Sequence, residues 1–175
     1  MKEKIKPTLV LTIICMAAAV LLVFAYELTK DRISEQKEKN FNKSVQQLFG
    51  DVGSTLLNTT FGSDKVEAIA VTDDGRTAVQ VIADGYAKEG INILVGIDGN
   101  GKVSGIEFVS LGETPGLGSN VRDRGDFRKQ FIGLSEPTDT VDAISGATFS
   151  SNGMKDAVNT ALKVYNDNKE AILNG

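Results

Sequence analysis

The chain has 175 residues and a formal net charge of −4, with no His, no Trp and a single Cys. That excludes disulfides, Cys-x-x-Cys redox pairs and Ser-His-Asp triads, and removes the imidazole and thiolate ligands on which most transition-metal and haem sites depend. The acidic balance gives no electrostatic reason to expect nucleic acid as a partner, so a redox role for this chain would need an organic cofactor.

Residues Pro7 to Tyr26, PTLVLTIICMAAAVLLVFAY, carry no charge and are long enough to span the roughly 30 Å hydrocarbon core of a bilayer. Pro7 suits a first helical turn and Tyr26 an interfacial position. A cleaved signal peptide is the competing reading, with Lys2, Lys4 and Lys6 ahead of the run and Ala17–Ala19 near a cleavage site. Leu21–Phe24 extend the apolar run past any such site, which favours a retained anchor. Cys15, preceded by Ile-Ile, lacks a lipobox context and reads as a small apolar residue. Lys30, Arg32, Lys37 and Lys39 on the far side leave the positive-inside count undecided. A short basic tail before a long domain favours an outside domain. The expected segments are therefore a cytoplasmic tail (1–6), a transmembrane helix (7–26), a helical stalk or solvated linker (27–50) and an extracytoplasmic domain (51–175).

The stalk is rich in Lys, Glu, Gln and Asn, and its apolar residues gather at Val45–Phe49, which are expected to pack on the domain. Gly50 is expected to end the helix. From Val66 the period becomes that of strands: Val66–Val71, then Thr77–Ile82 after the turn Asp73–Gly75. Gly85–Gly90 reads as a loop. Ile91–Ile97 and Lys102–Ser110 are two strands joined by Asp98-Gly-Asn-Gly101, a hairpin signal. Asp73 and Asp98 are assigned to turns without chemistry. Arg122–Phe131 is expected to be a short helix with Phe127 and Phe131 paired, and Gly133–Asp142, with Pro137, a loop. The last helix is expected to be capped by Ser150 or Ser151, with Met154, Val158, Ala161 or Leu162, and Tyr165 on its apolar face. Strands in the middle with helices at both ends predict an α+β domain: a small antiparallel sheet with flanking helices, preceded by one transmembrane helix.

Two segments carry the chemistry. In Asp142-Ala-Ile-Ser-Gly-Ala-Thr148 a threonine follows two residues with almost no side chain, just ahead of a helix. Gly146 permits close backbone approach, and the helix start offers N–H groups to a phosphate. Taken alone, the segment reads first as an ordinary loop-to-helix junction in which Ser145 and Thr148 cap and turn. The second segment, Gly112-Glu-Thr-Pro-Gly-Leu-Gly118-Ser-Asn, follows a strand. Pro115-Gly116 fits the centre of a type II turn, Gly118 permits close approach, and Thr114 and Ser119 are polar groups for a ligand edge. Glu113 either orients this loop or is solvated.

Ser-Gly-Ala-Thr preceded by Asp142, with Glu-Thr-Pro-Gly-Leu-Gly upstream of it, resembles the FMN-binding domains of the RnfG/NqrC family over about residues 60–165. The resemblance implies FMN bound covalently through a phosphoester at Thr148. Ser145, Gly146, Ala147, Glu113, Thr114, Gly116, Leu117 and Gly118 become cofactor-binding candidates, and Asp142 part of the motif read by a flavin transferase. It implies an electron relay with no catalytic residue and no metal of its own. The partners implied are the membrane and the polytopic and cluster-binding subunits of an ion-translocating complex. The short chain favours the RnfG side of the family, within an Rnf-type ferredoxin:NAD oxidoreductase. An NqrC-like subunit of a sodium-translocating NADH:quinone oxidoreductase, or a free-standing flavin carrier, is the alternative. Apart from the resemblance, a tethered non-redox module holding an anionic ligand would also explain the anchor and the glycine-rich loops.

Overall fold

The structure, a computed structural model, describes residues 2–57, 59–135 and 138–173, and of residues 2–6 the backbone only. The lysines of the N-terminal tail and Pro137 of the expected loop lie outside the described side chains and residues. The chain forms two compact units, residues 1–41 and 42–175. Helix α1 (Lys2–Phe49) supplies all of the first and opens the second. It begins at Lys2, so Pro7 lies inside the helix and not in its first turn. From Pro7 to Asn40 every side chain is exposed, including the apolar run. Among the described residues this is the one helix long and apolar enough to cross a membrane.

The second unit is an α+β domain built on a five-stranded antiparallel meander. Its strands are β1 (Ser54–Leu57), β2 (Val66–Thr72), β3 (Thr77–Ala83), β4 (Ile91–Ile97) and β5 (Val103–Leu111), each paired with the next. Four of them fall where the sequence places strands. β1 was not visible in the sequence, because Ser-Thr-Leu-Leu is short and its residues are mostly exposed at the sheet edge. Both expected turns form. Gly75 sits at φ +82° and Gly101 at φ +80°. The Asp98 carboxylate accepts the N–H groups of Asn100 and Lys102, each at 2.9 Å, which fixes the β4–β5 hairpin.

One face of the sheet carries α4 (Thr148–Leu173), which packs on β2, β3 and β4. Met154, Ala157, Val158, Ala161, Leu162 and Tyr165 recur three or four apart and are all buried. They meet Ile69, Val79, Val81, Ile91, Ile93, Val95 and Ile97 from alternate strand positions in one apolar core. Each Val, Leu, Ile or Met side chain among them contributes about 1.5–3 kcal/mol by leaving water. The expected helix over Arg122–Phe131 is in fact two short ones, α2 (Asn120–Asp123) and α3 (Gly125–Lys129), because Arg124 is extended at φ −91°, ψ 102°. Phe127 and Phe131 nevertheless meet edge-on, with centroids 5.3 Å apart, and are buried.

The opposite face is covered by the last turns of α1. Across β2 to β5, Ala70, Ala78, Gly96 and Gly105 lie side by side in register, making a shallow channel of small residues. A Cβ at Gly96 would stand 2.9 Å from Leu48, and one at Gly105 would stand 2.6 Å from it. Val45 and Phe49 are buried beside Leu48. The helix ends as expected at Gly50, φ +82°, whose N–H bonds Gln46 O at 2.8 Å. Arg76 secures this end: its guanidinium lies 4.5 Å from the Phe49 ring centre, and Nη2 donates to Phe49 O at 3.3 Å. Asp74 holds the guanidinium from the other side, and the Arg76 hydrogen bond puts the Asp74 carboxyl well below the usual carboxylate range.

Gly153, in the first turns of α4, fixes how closely the helix approaches the sheet. A Cβ there would fall 2.2 Å from the Asp84 carbonyl oxygen, a backbone atom that cannot swing aside. In an open helix Gly→Ala stabilises by about 1 kcal/mol. Here the overpacking cost of about 1–3 kcal/mol wins. Gly153→Ala is therefore expected to lower the urea midpoint of the full chain in detergent. A midpoint at or above that of the wild type would show that α4 has room to spare.

Candidate functional site

The loop after β5 is built by its own polar groups. Thr114-Pro115-Gly116-Leu117 forms the expected turn, with Leu117 N–H donating to Thr114 O at 3.2 Å and Gly116 at φ +75°. The Ser119 hydroxyl, expected to be available to a ligand, is buried and accepts the Gly116 N–H at 2.9 Å. Gly112 N–H donates to Gly90 O at 2.7 Å, tying this loop to the preceding one.

The segment before α4 makes a second tight turn. Ala147 N–H donates to Ile144 O at 2.9 Å across Ser145 and Gly146, and Gly146 has φ +80°. A Cβ on Gly146 would meet nothing within 4 Å. Gly146 supplies the positive φ that the turn requires, and it opens on to free space in the cleft. The helix opens at Thr148, so neither Ser150 nor Ser151 is its cap. Both lie in the first turn, where their hydroxyls look backwards. Ser151 Oγ accepts the buried Ile144 N–H at 3.0 Å, and Ser150 Oγ donates to Glu113 at 2.5 Å. The first main-chain bond of the helix runs from Ser151 N–H to Ala147 O, 2.8 Å. The N–H groups of Thr148, Phe149 and Ser150 thus lack an intrahelical acceptor and mark the positive end of a long helix.

Glu113 joins these parts. It is only 7% exposed. Its carboxylate accepts from Ala87 N–H at 3.1 Å, from Tyr86 N–H at 3.4 Å and from Ser150 Oγ. Added Cβ atoms at Gly85, Gly90 and Gly118 would fall 2.3, 2.7 and 2.2 Å from its oxygens. Three glycines from two loops therefore make room for one carboxylate, and three donors from two segments satisfy it. Of the two readings the sequence left for Glu113, orientation of the loop is the one its contacts describe.

Between these elements lies a cleft of about 330 Å³, lined by Tyr86, Glu113, Thr114, Leu117, Gly118 and residues 146–150. Both sequence motifs thus reach one cavity, although roughly thirty positions separate them. Gly146, Ala147, Thr148, Glu113, Thr114, Leu117 and Gly118 line it; Thr148 and Leu117 are exposed, and Ala147 is buried beneath them. Gly116 sits behind, in the turn. Tyr86 and Phe149 were not among the expected site residues. They are 77% and 70% exposed and meet edge-on at 6.4 Å between ring centres. An aromatic directly after Gly85 in a loop, and one directly after Thr148, were the signals available. Only their convergence makes them a wall.

Ser145 and Asp142 face elsewhere. They line a separate cleft of about 260 Å³ with Arg124, Asp126, Phe127, Gln130, Ala143 and Ile144. Asp142 is exposed, and its N–H donates to Gln130 Oε1 at 2.9 Å. The Arg124 guanidinium bonds Asp126 at 2.7 Å and holds that carboxyl below the usual carboxylate range. Among the described residues no group of three or more acidic or Cys side chains is arranged to hold a metal ion.

Residues 85–163, which span every lining residue of the first cleft, match the FMN-binding domain family. Over nearly its whole length the chain is also similar to the G subunit of the ion-translocating oxidoreductase complex of Vibrio vulnificus, 29% identical with 97% of this chain and 92% of the relative covered. The G subunit of the complex of the same name in Aliivibrio fischeri is 28% identical over 96% of this chain and 93% of its own. The G subunit of the Na(+)-translocating ferredoxin:NAD(+) oxidoreductase complex of Acetobacterium woodii is 29% identical over 70% of this chain and 64% of the relative.

Ser151→Ala would leave the Ile144 N–H buried without its acceptor. That is expected to cost about 1–3 kcal/mol and to speed amide exchange at Ile144 and Ala147 before the rest of α4 opens. Unchanged exchange at those two amides would show that the turn ahead of Thr148 holds itself.

Proposed function

We propose that this chain is the membrane-anchored, FMN-carrying electron-transfer subunit of an Rnf-type ion-translocating oxidoreductase, with FMN attached through a phosphoester to Thr148. The observation that carries this reading is the single cleft in which both motifs meet at the start of α4. The relatives, each a G subunit of an ion-translocating complex, support the setting in which other subunits are its partners. In this reading a flavin transferase loads the domain.

The residues present fit the cofactor. A phosphate at Thr148 would face the unpaired N–H groups of the first turn of α4, where the helix dipole favours negative charge. Tyr86, Phe149 and Leu117 offer exposed apolar surface for a ring system beside it. During loading, Thr148 Oγ would form the new P–O bond as the pyrophosphate bridge of FAD breaks; AMP leaves, and the hydroxyl proton is lost to the transferase or solvent. Asp142 lies outside the cleft on an exposed edge, which suits a group read by the transferase more than one touching the anionic phosphate. Bound FMN supplies reversible electron transfer. The chain's own residues would hold it in the cleft beside Tyr86, Leu117 and Phe149. Thr148 anchors the phosphate, the turn Ile144–Ala147 presents Thr148 outwards, and Tyr86 and Phe149 limit water at the ring. The apolar stretch of α1 spans the membrane, with residues 1–6 in the cytoplasm and the domain outside.

In the full chain coexpressed with a flavin transferase, a fluorescent band is expected to survive denaturing electrophoresis and to vanish in Thr148→Ala. A dark wild-type band, with a control protein labelled in the same cells, would overturn covalent FMN. Alkaline phosphatase fused after the last residue is expected to be active. An inactive fusion, with a cytoplasmic reporter active at the same point, would place the domain inside.

A further inference from the structure

We infer that Glu113 is a positioning residue for the flavin and that its buried negative charge sets the reduction potential of the cleft. This deepens the flavin reading and rests on it. The charge is held where mobile water and salt screen it little: the residue is 7% exposed, yet it lines the same cleft as Tyr86, Thr148 and Phe149. Each hydrogen bond to its head group is one it accepts. The carboxylate fills the space that side chains at Gly85, Gly90 and Gly118 would take, and its three donors hold it there. A charge fixed in this way acts on whatever occupies the cleft.

Two-electron reduction of a flavin with uptake of one proton adds one negative charge to the ring. A carboxylate fixed beside it opposes that addition and moves the midpoint to more negative values. The carboxylate also positions the ring. Ala87 and Tyr86 N–H hold the Tyr86 loop to it, and Ser150 holds the start of α4, so wall and phosphate site are set by one group. The Ser150 hydroxyl partly offsets the charge by donating to it.

Two substitutions separate charge from shape. Glu113→Gln keeps the volume, an acceptor for Ala87 N–H and a donor for the Ser150 hydroxyl, but removes the charge. Ser150→Ala keeps the charge and removes a donor. In the FMN-loaded full chain, titrated with dithionite, Glu113→Gln is expected to shift the midpoint positive and Ser150→Ala to shift it negative. A residue of purely structural importance would not give opposite signs. The inference falls if Glu113→Gln carries FMN at the wild-type midpoint, or if both variants shift in the same direction. If Glu113→Gln does not accumulate, Ser150→Ala decides alone, and a zero or positive shift overturns the inference. Positioning is read without cofactor: amide exchange at Tyr86 and Ala87 is expected to be at least tenfold faster in Glu113→Ala than in the wild type, and an unchanged rate overturns that part. Failure of the flavin reading is distinct, since it shows as a wild-type chain that never becomes fluorescent.

Discussion

The hydrogen bonds to the Glu113 carboxylate hold together three pieces of chain that would otherwise only touch. The Tyr86 loop donates two main-chain N–H groups, the first turn of α4 donates the Ser150 hydroxyl, and the loop after β5 supplies the carboxylate itself. A buried carboxylate without donors would cost several kcal/mol, so the three pieces hold their positions together or lose them together. The glycines express the same constraint from the other side. Gly85, Gly90 and Gly118 are each placed where any side chain would collide with the carboxylate. Sequence, local geometry and cleft are thereby one arrangement, and its centre is a single side chain.

The rest of the fold brings those pieces within reach. The meander places the ends of β3 and β5 on either side of the start of β4, so the loops after Ala83 and Leu111 emerge side by side. The Gly112 N–H bond to Gly90 O fastens them. α4 then crosses the sheet with its N-terminus at the same end, and Gly153 lets it lie against the Asp84 carbonyl. Had the helix stood even an ångström higher, Ser150 would have lost Glu113. On the opposite face the row of Ala70, Ala78, Gly96 and Gly105 accommodates Leu48 and Phe49, so β4 is covered on both sides. That explains why Ile91–Ile97 reads as an almost unbroken apolar run while β2 alternates.

Four strands, the two hairpin turns, the end of α1 at Gly50 and the apolar face of α4 were legible because each is a local pattern: alternation, a turn glycine, a stripe of period 3.6. β1 was not legible, since four mostly exposed residues at an edge have no pattern to show. Nor was the break at Arg124, because nothing in Arg122–Phe131 alone marks it, and the Phe127–Phe131 contact survives the break. At the cleft the residue types of both motifs were visible, but their working parts were not. Ser119 and Ser151 looked like ligand or cap groups and turned out to be internal acceptors for Gly116 and Ile144. Tyr86 and Phe149 looked like loop residues and form a wall. These roles depend on contacts between residues tens of positions apart, and no local period records them.

The cleft places two fixed potentials of opposite sign a few residues apart along α4. Thr148 stands at the positive end of the helix, and two residues on, in the same turn, Ser150 touches the negative carboxylate. A ligand with an anionic head would find that head favoured at Thr148, with the exposed rings of Tyr86 and Phe149 lining the same cleft. What the chain contributes is a place, a sign at each end of it, and a carboxylate set firmly enough to impose its charge on the occupant. In this domain the loop after Ala83, the loop after Leu111 and the start of α4 all converge on Glu113.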